Sequence, residues 1–224
     1  MNEDLSILNR EIMDCKKCSR LVEFRNSVLK DTRKYANEIF WRKPVTGYGD
    51  IIGSLLLVGL APAASGANRT GRVFTGDKSS EFLMECLYSA GITSMNSSLK
   101  ADDGLEYINT YISLAVRCVP PENKPDKREV DNCLSFLERE IKLMKNLKVI
   151  LCMGKLAFDS TISALSRLDF NVKGFRFSNG FVQKTGNLVI MAVFHPSPRN
   201  VNTGRITKDE FTDICKKAKK FSIE

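Results

Sequence analysis

Strand-sized apolar runs alternate with helical patterns along most of the chain, and this alternation restricts the fold more than any other feature. Residues 54–60 are continuously apolar after Ser54, as in a strand covered on both faces, and residues 111–117 and 149–153 repeat that character. Between them, residues 79–90 carry helical spacing at Phe82, Leu83, Cys86 and Leu87 and stop at Gly91. Residues 126–145 read as a long helix opened by Asp126 with Glu129 three residues on, a capping-box pattern. Residues 155–165 and 207–220 read as helices, the second opening on Thr207 and Glu210. Gly186-Asn187 separates residues 181–184 from 188–194 as in a hairpin. Such an order predicts a three-layer α/β/α sandwich around a mainly parallel, four-stranded sheet. Polar–apolar spacing predicts two further helices, over residues 5–13 and 21–39, as an N-terminal appendage to one domain spanning 1–224.

Composition narrows the setting. Met1-Asn2-Glu3-Asp4 is no basic leader, and the apolar runs at 55–60 and 149–153 are too short to cross a bilayer, so a soluble, cytoplasmic protein without a membrane partner is expected. The formal charge of +8, from 34 Lys and Arg against 26 Asp and Glu, favours a polyanionic partner without naming one.

Seven cysteines are an odd count for a disulfide framework, and Cys15 and Cys18 have the tight spacing of metal ligands. Cys118 and Cys133 flank a loop containing Pro120, Pro121 and Pro125, where a clip has something to hold, and four thiolates suit either tetrahedral zinc or an iron–sulfur cluster. The competing reading makes Cys118 and Cys133 ordinary buried thiols, which Cys86, Cys152 and Cys215 are expected to be.

Two loops carry the remaining chemistry. Residues 59–77 place small residues, two arginines and Asp77 after the first long strand, where ligands bind in parallel α/β sheets. No Gly-Lys-Ser/Thr or Gly-x-Gly-x-x-Gly pattern is present there, which disfavours nucleotide hydrolysis. His195, the only histidine, follows the last apolar strand directly and is placed to donate a hydrogen bond to a developing oxyanion at the same sheet edge.

Five segments in order, Gly59-Leu60-Ala61-Pro62, Asn68-Arg69-Thr70-Gly71-Arg72, Phe74-Thr75-Gly76-Asp77, residues 117–125 and residues 195–204, resemble the signature of the uracil-DNA glycosylase superfamily, specifically its family-five (type B) iron–sulfur branch. The resemblance implies a monofunctional glycosylase acting as a monomer on uracil-containing double-stranded DNA in base excision repair. It implies a structural 4Fe-4S cluster on Cys15, Cys18, Cys118 and Cys133. His195 then donates to the base carbonyl, and Phe74 stacks on a base flipped out of the duplex. Gly59, Leu60, Ala61, Ala63, Asn68 and Leu114 are the other expected substrate contacts, and Arg72, Arg199 and Asn200 the DNA contacts, with Arg199 as a wedge and Arg205 a further candidate for phosphate.

The chain departs from that pattern in places. Ala61 stands where other branches carry a water-activating carboxylate or amide, leaving Asp77 to orient water or stabilise the sugar cation, or else to cap the following helix. Leu114 stands where other branches carry an asparagine that reads the uracil edge, which implies a broader range of deaminated bases. Ser65 occupies a position where the family carries histidine. A non-catalytic iron–sulfur protein that binds or senses damaged nucleic acid is the alternative.

Overall fold

The computed structural model describes residues 5–29, 33–35 and 37–224. Six strands form one sheet: β1 (Tyr48–Gly49), β2 (Leu55–Gly59), β3 (Thr110–Leu114), β4 (Val149–Met153), β5 (Phe181–Thr185) and β6 (Leu188–Val193), in the order β1-β3-β2-β4-β6-β5. The inner pairs β3–β2, β2–β4 and β4–β6 are parallel, whereas β1 and β5 run antiparallel at the two edges. The expected four parallel strands are therefore the centre of a wider, mixed sheet. The two-residue β1 is too short to leave a periodic signal.

Eight helices accompany the strands among the described residues: α1 (Leu5–Met13), α2 (Ser19–Ser27), α3 (Ala67–Thr70), α4 (Lys78–Ser89), α5 (Lys127–Leu143), α6 (Lys155–Arg167), α7 (Pro198–Asn202) and α8 (Lys208–Ile223). Alternate residues of each strand point to opposite faces. Leu55 and Leu57 pack with Leu83 and Leu87 of α4 and Phe211 of α8, while Leu56 and Val58 pack with Leu137 of α5 and Phe158 of α6. Each fully buried leucine stabilises the fold by roughly 1.5–3 kcal/mol, so two covered faces explain why the strands are apolar at every position.

Helix starts follow their side chains. Asp126 and Glu129 cap α5 reciprocally, as do Thr207 and Glu210 at α8, so orphan backbone donors are satisfied at both ends of the exchange. The helix expected over residues 21–39 stops at Ser27, because the Arg42 guanidinium takes the carbonyls of Arg25, Asn26 and Val28. Part of that expectation, residues 30–32 and 36, lies outside the described residues. Leu8 and Ile12 of α1 pack on Phe136 of α5, and Leu21 of α2 packs against Val116, Cys118 and Cys133, which brings the N-terminal helices to the cysteine loop.

Candidate active site

The carboxyl ends of β2, β3 and β6 open into one cleft of about 620 Å³, reached by Leu60, Leu114 and His195 respectively. Ligands of parallel α/β sheets collect at this edge, where strand ends leave space between diverging loops. A comparably large open groove of about 600 Å³ beside Ile162 and Phe170 shares no residue with it, and chemistry rather than size singles out the strand-end cleft.

Phe74 forms one wall. Its backbone is left-handed, φ 48°, an uncommon conformation for a bulky residue and one costing on the order of 1 kcal/mol. The ring lies against Gly59, where an added Cβ would come within 2.6 Å of it, so glycine at the end of β2 is what admits the aromatic. The Phe74 and His195 rings face each other at 6.1 Å between centroids and 29° between planes.

His195 is held through its backbone: its carbonyl accepts from the Ser197 amide at 2.8 Å and from Asn200 Nδ2 at 2.9 Å. Burial lowers its pKa from 6.5 to about 4. The imidazole is therefore neutral at physiological pH, with one N–H to donate.

Asp77 divides its carboxylate between two tasks. Oδ1 accepts from the Ser79 and Ser80 amides at 2.9 and 3.0 Å, and Ser80 Oγ accepts from the Asp77 amide at 3.0 Å, a capping box at the start of α4. Oδ2 lies against Gly66, where an added Cβ would come within 1.9 Å of it, and Asp77 lines the cleft. Burial raises the Asp77 pKa against the lowering effect of the two amide bonds. Capping and a place in the cleft are thus compatible in one side chain.

Leu60, Ala61, Ala63, Ser65 and Leu114 also line the cleft, and Arg199 stands exposed at it. No carboxylate or amide occupies positions 61 and 114, so this part of the wall is apolar. Glu122, Asn123 and Lys124, from the loop between Cys118 and Cys133, line it as well, a place that neither the cysteine spacing nor the family motif at residues 117–125 singles out for them.

Two expected contacts lie elsewhere. Arg72 is 4% exposed and cannot meet a phosphate: its guanidinium binds Asp103 at 2.7 Å, Ser98 Oγ at 2.8 Å and Thr75 Oγ1 at 2.9 Å, and sits over the Tyr48 ring. Asn68 is 1% exposed and turns from the cleft toward α2, donating from Nδ2 to the Arg25 carbonyl at 3.2 Å. The Asn200 amide nitrogen, expected at DNA, is engaged by the His195 carbonyl.

Cys15, Cys18, Cys118 and Cys133 line a single narrow cavity beneath α2, and no disulfide joins any of them. Arg25 Nη1 lies 3.0 Å from Cys118 Sγ, and Asn132 Nδ2 lies 3.4 Å from Cys18 Sγ, two donors that local sequence spacing could not reveal. Among the described residues no group of three or more His, Cys, Asp or Glu side chains is placed to hold a single metal ion. Cys86, Cys152 and Cys215 are buried within the main cores, as expected.

The fold and cleft together define an α/β protein whose strand-end cleft is walled by an aromatic ring and faced by a neutral imidazole. The chain belongs to the uracil DNA glycosylase superfamily, whose family model matches residues 46–219. It is 37% identical over 207 residues to a type-5 uracil-DNA glycosylase of Pyrobaculum aerophilum, covering 92% of this chain and 88% of that one. A type-5 uracil-DNA glycosylase of Thermus thermophilus is 37% identical, with 93% and 94% covered, and one of Mycobacterium leprae is 38% identical, with 96% and 94% covered.

Proposed function

We propose that the protein is a monofunctional DNA glycosylase that hydrolyses the N-glycosidic bond of uracil, and of other deaminated bases, in double-stranded DNA. The observation that carries this reading is the convergence of Phe74, Asp77 and His195 on one cleft of base-accommodating size. Such an enzyme must take the nucleotide out of the stack and stabilise a leaving base anion and a sugar cation. Phe74 supplies the stacking face. The neutral His195 ring donates its N–H to the base carbonyl as negative charge builds there. Asp77 Oδ2, left free by the capping role of Oδ1, orients water or faces the cation. The apolar wall at Ala61 and Leu114 cannot impose edge-specific hydrogen bonds, which supports a broad range of deaminated bases. Arg199, exposed at the cleft, enters the gap left in the duplex on this reading.

Cys15, Cys18, Cys118 and Cys133 are the residues that would hold a 4Fe-4S cluster. All four thiols line one cavity and none is tied up in a disulfide, which is the donor set such a cluster takes. When bound, the cluster supplies a structural clip across the loop that lines the cleft.

The test is release of free base from duplexes carrying uracil, hypoxanthine or xanthine. Uracil release by the wild-type protein, lost in His195→Ala and Phe74→Ala, is expected; binding to damaged duplex without release would favour the non-catalytic alternative. Release of uracil alone would remove the broad range.

A further inference from the structure

The cysteine cavity is met by more hydrogen-bond donors than the protein itself employs. Arg25 and Asn132 donate to Cys118 and Cys18. The Arg117 side chain lines the same cavity and is 1% exposed. Its Nη2 lies 2.5 Å from Glu140 Oε2, yet its Nε and Nη1 have no partner. Glu140 is fully buried and also accepts from Ser113 Oγ at 2.5 Å and Tyr111 Oη at 3.3 Å, so β3 and α5 together fix the guanidinium.

An unmade hydrogen bond at a buried donor costs about 1–3 kcal/mol, and two on one immobilised side chain beside four thiols point to an acceptor that belongs in that cavity. Sulfur carrying negative charge is such an acceptor. A simple β3–α5 ion pair would need only the Nη2 contact.

We propose that Arg117 gives its Nε–H and Nη1–H to sulfur atoms of the iron–sulfur cluster, with Glu140 as the residue that positions it. This rests on the reading that the four cysteines hold such a cluster. Hydrogen bonds to cluster sulfurs disperse negative charge, which favours the reduced form and slows ligand loss. Arg117 is thus a determinant of cluster potential and retention.

The experiment uses the full chain prepared without oxygen. Wild-type protein is first assayed for iron, sulfide and visible absorption; absence of iron would sink the cluster reading and the role of Arg117 with it. In cluster-loaded protein, Arg117→Lys keeps a positive charge opposite Glu140 but loses the planar fork. A more negative reduction potential and roughly tenfold faster cluster loss to a chelator are expected. Wild-type potential and loss rate in that variant would reduce Arg117 to an ion-pair partner. A second measurement leaves Arg117 intact: Arg25→Lys protein is labelled with guanidino-¹⁵N arginine and its reduced cluster examined by pulsed EPR. A hydrogen-bonded guanidinium coupling is expected, and its absence overturns the proposal.

Discussion

The loop between β2 and α4 has two sides built in different ways. Its front presents Phe74 and Asp77 to the cleft, held by neighbours in sequence: Asp77 by Ser79 and Ser80, and the Phe74 backbone by its left-handed turn. Its back carries Asn68, Arg69 and Arg72, whose polar groups reach far along the chain to Arg25, Glu38, Ser98 and Asp103. The contrast teaches that polar residues within one motif need not share a task. Those at the back hold the loop in place, and through Arg25 they connect it to Cys118.

The contrast breaks most visibly at Arg72. Removing it leaves the half-buried Asp103 carboxylate without its ion-pair partner among the described residues, though still held by the Leu99, Lys100 and Leu105 amides, and strips a buried donor from Thr75 and Ser98, a loss of about 1–3 kcal/mol. Arg72→Met is expected to lower the unfolding free energy read from denaturant titration, whereas Arg199→Ala, on an exposed residue, leaves it within about 0.5 kcal/mol and weakens duplex binding. Equal stability of the two variants would erase the distinction between back and front.

At the front, His195→Ala is expected to slow uracil release by about 10²–10³-fold, the usual loss for one preorganised donor to a developing anion, with the circular dichroism spectrum retained. Asp77 sharpens the comparison at smaller energies. Asp77→Ala removes the cap and is expected to cost about 1 kcal/mol of stability, while Asp77→Asn caps nearly as well and also relieves the buried charge. The asparagine variant should match or exceed wild-type stability and still lose excision. Loss of stability with full activity would assign Asp77 to capping alone.

The pH dependence of stability carries the same distinction. Folded His195 has its pKa lowered to about 4 from 6.5, so between those values the unfolded chain binds more protons than the folded one. The stability tied to the neutral ring is complete above pH 6.5 and drains away as pH falls toward about 4. His195→Asn is expected to flatten this part of the profile, measured by denaturation at each pH.

Much of the front was legible in the sequence because its devices are local. Asp77 and His195 stand at helix and strand boundaries that short patterns mark, Phe74 in mid-loop was picked out by the family resemblance, and the capping boxes at Asp126 and Thr207 need only three-residue spacing. The back was not legible: nothing near Arg72 announces Asp103 or Tyr48, so a buried tie reads as a basic loop residue. Likewise Arg42, far from Ser27 in sequence, ends α2 well before the helical pattern does. Arg25, Asn132 and Arg117 gather at the cysteines only through tertiary packing.

Since His195 is the chain's sole histidine, its ring gives a single NMR reporter at the centre of the cleft. Imidazole ¹⁵N spectra recorded across neutral and mildly acidic pH, without and with uracil plus an abasic duplex, interrogate it directly. A ring that stays neutral to below pH 5, with an N–H resonance moving downfield when uracil and abasic duplex bind, is the expected result. A ring that titrates near its ordinary value and ignores the ligands would contradict the assignment of this cleft.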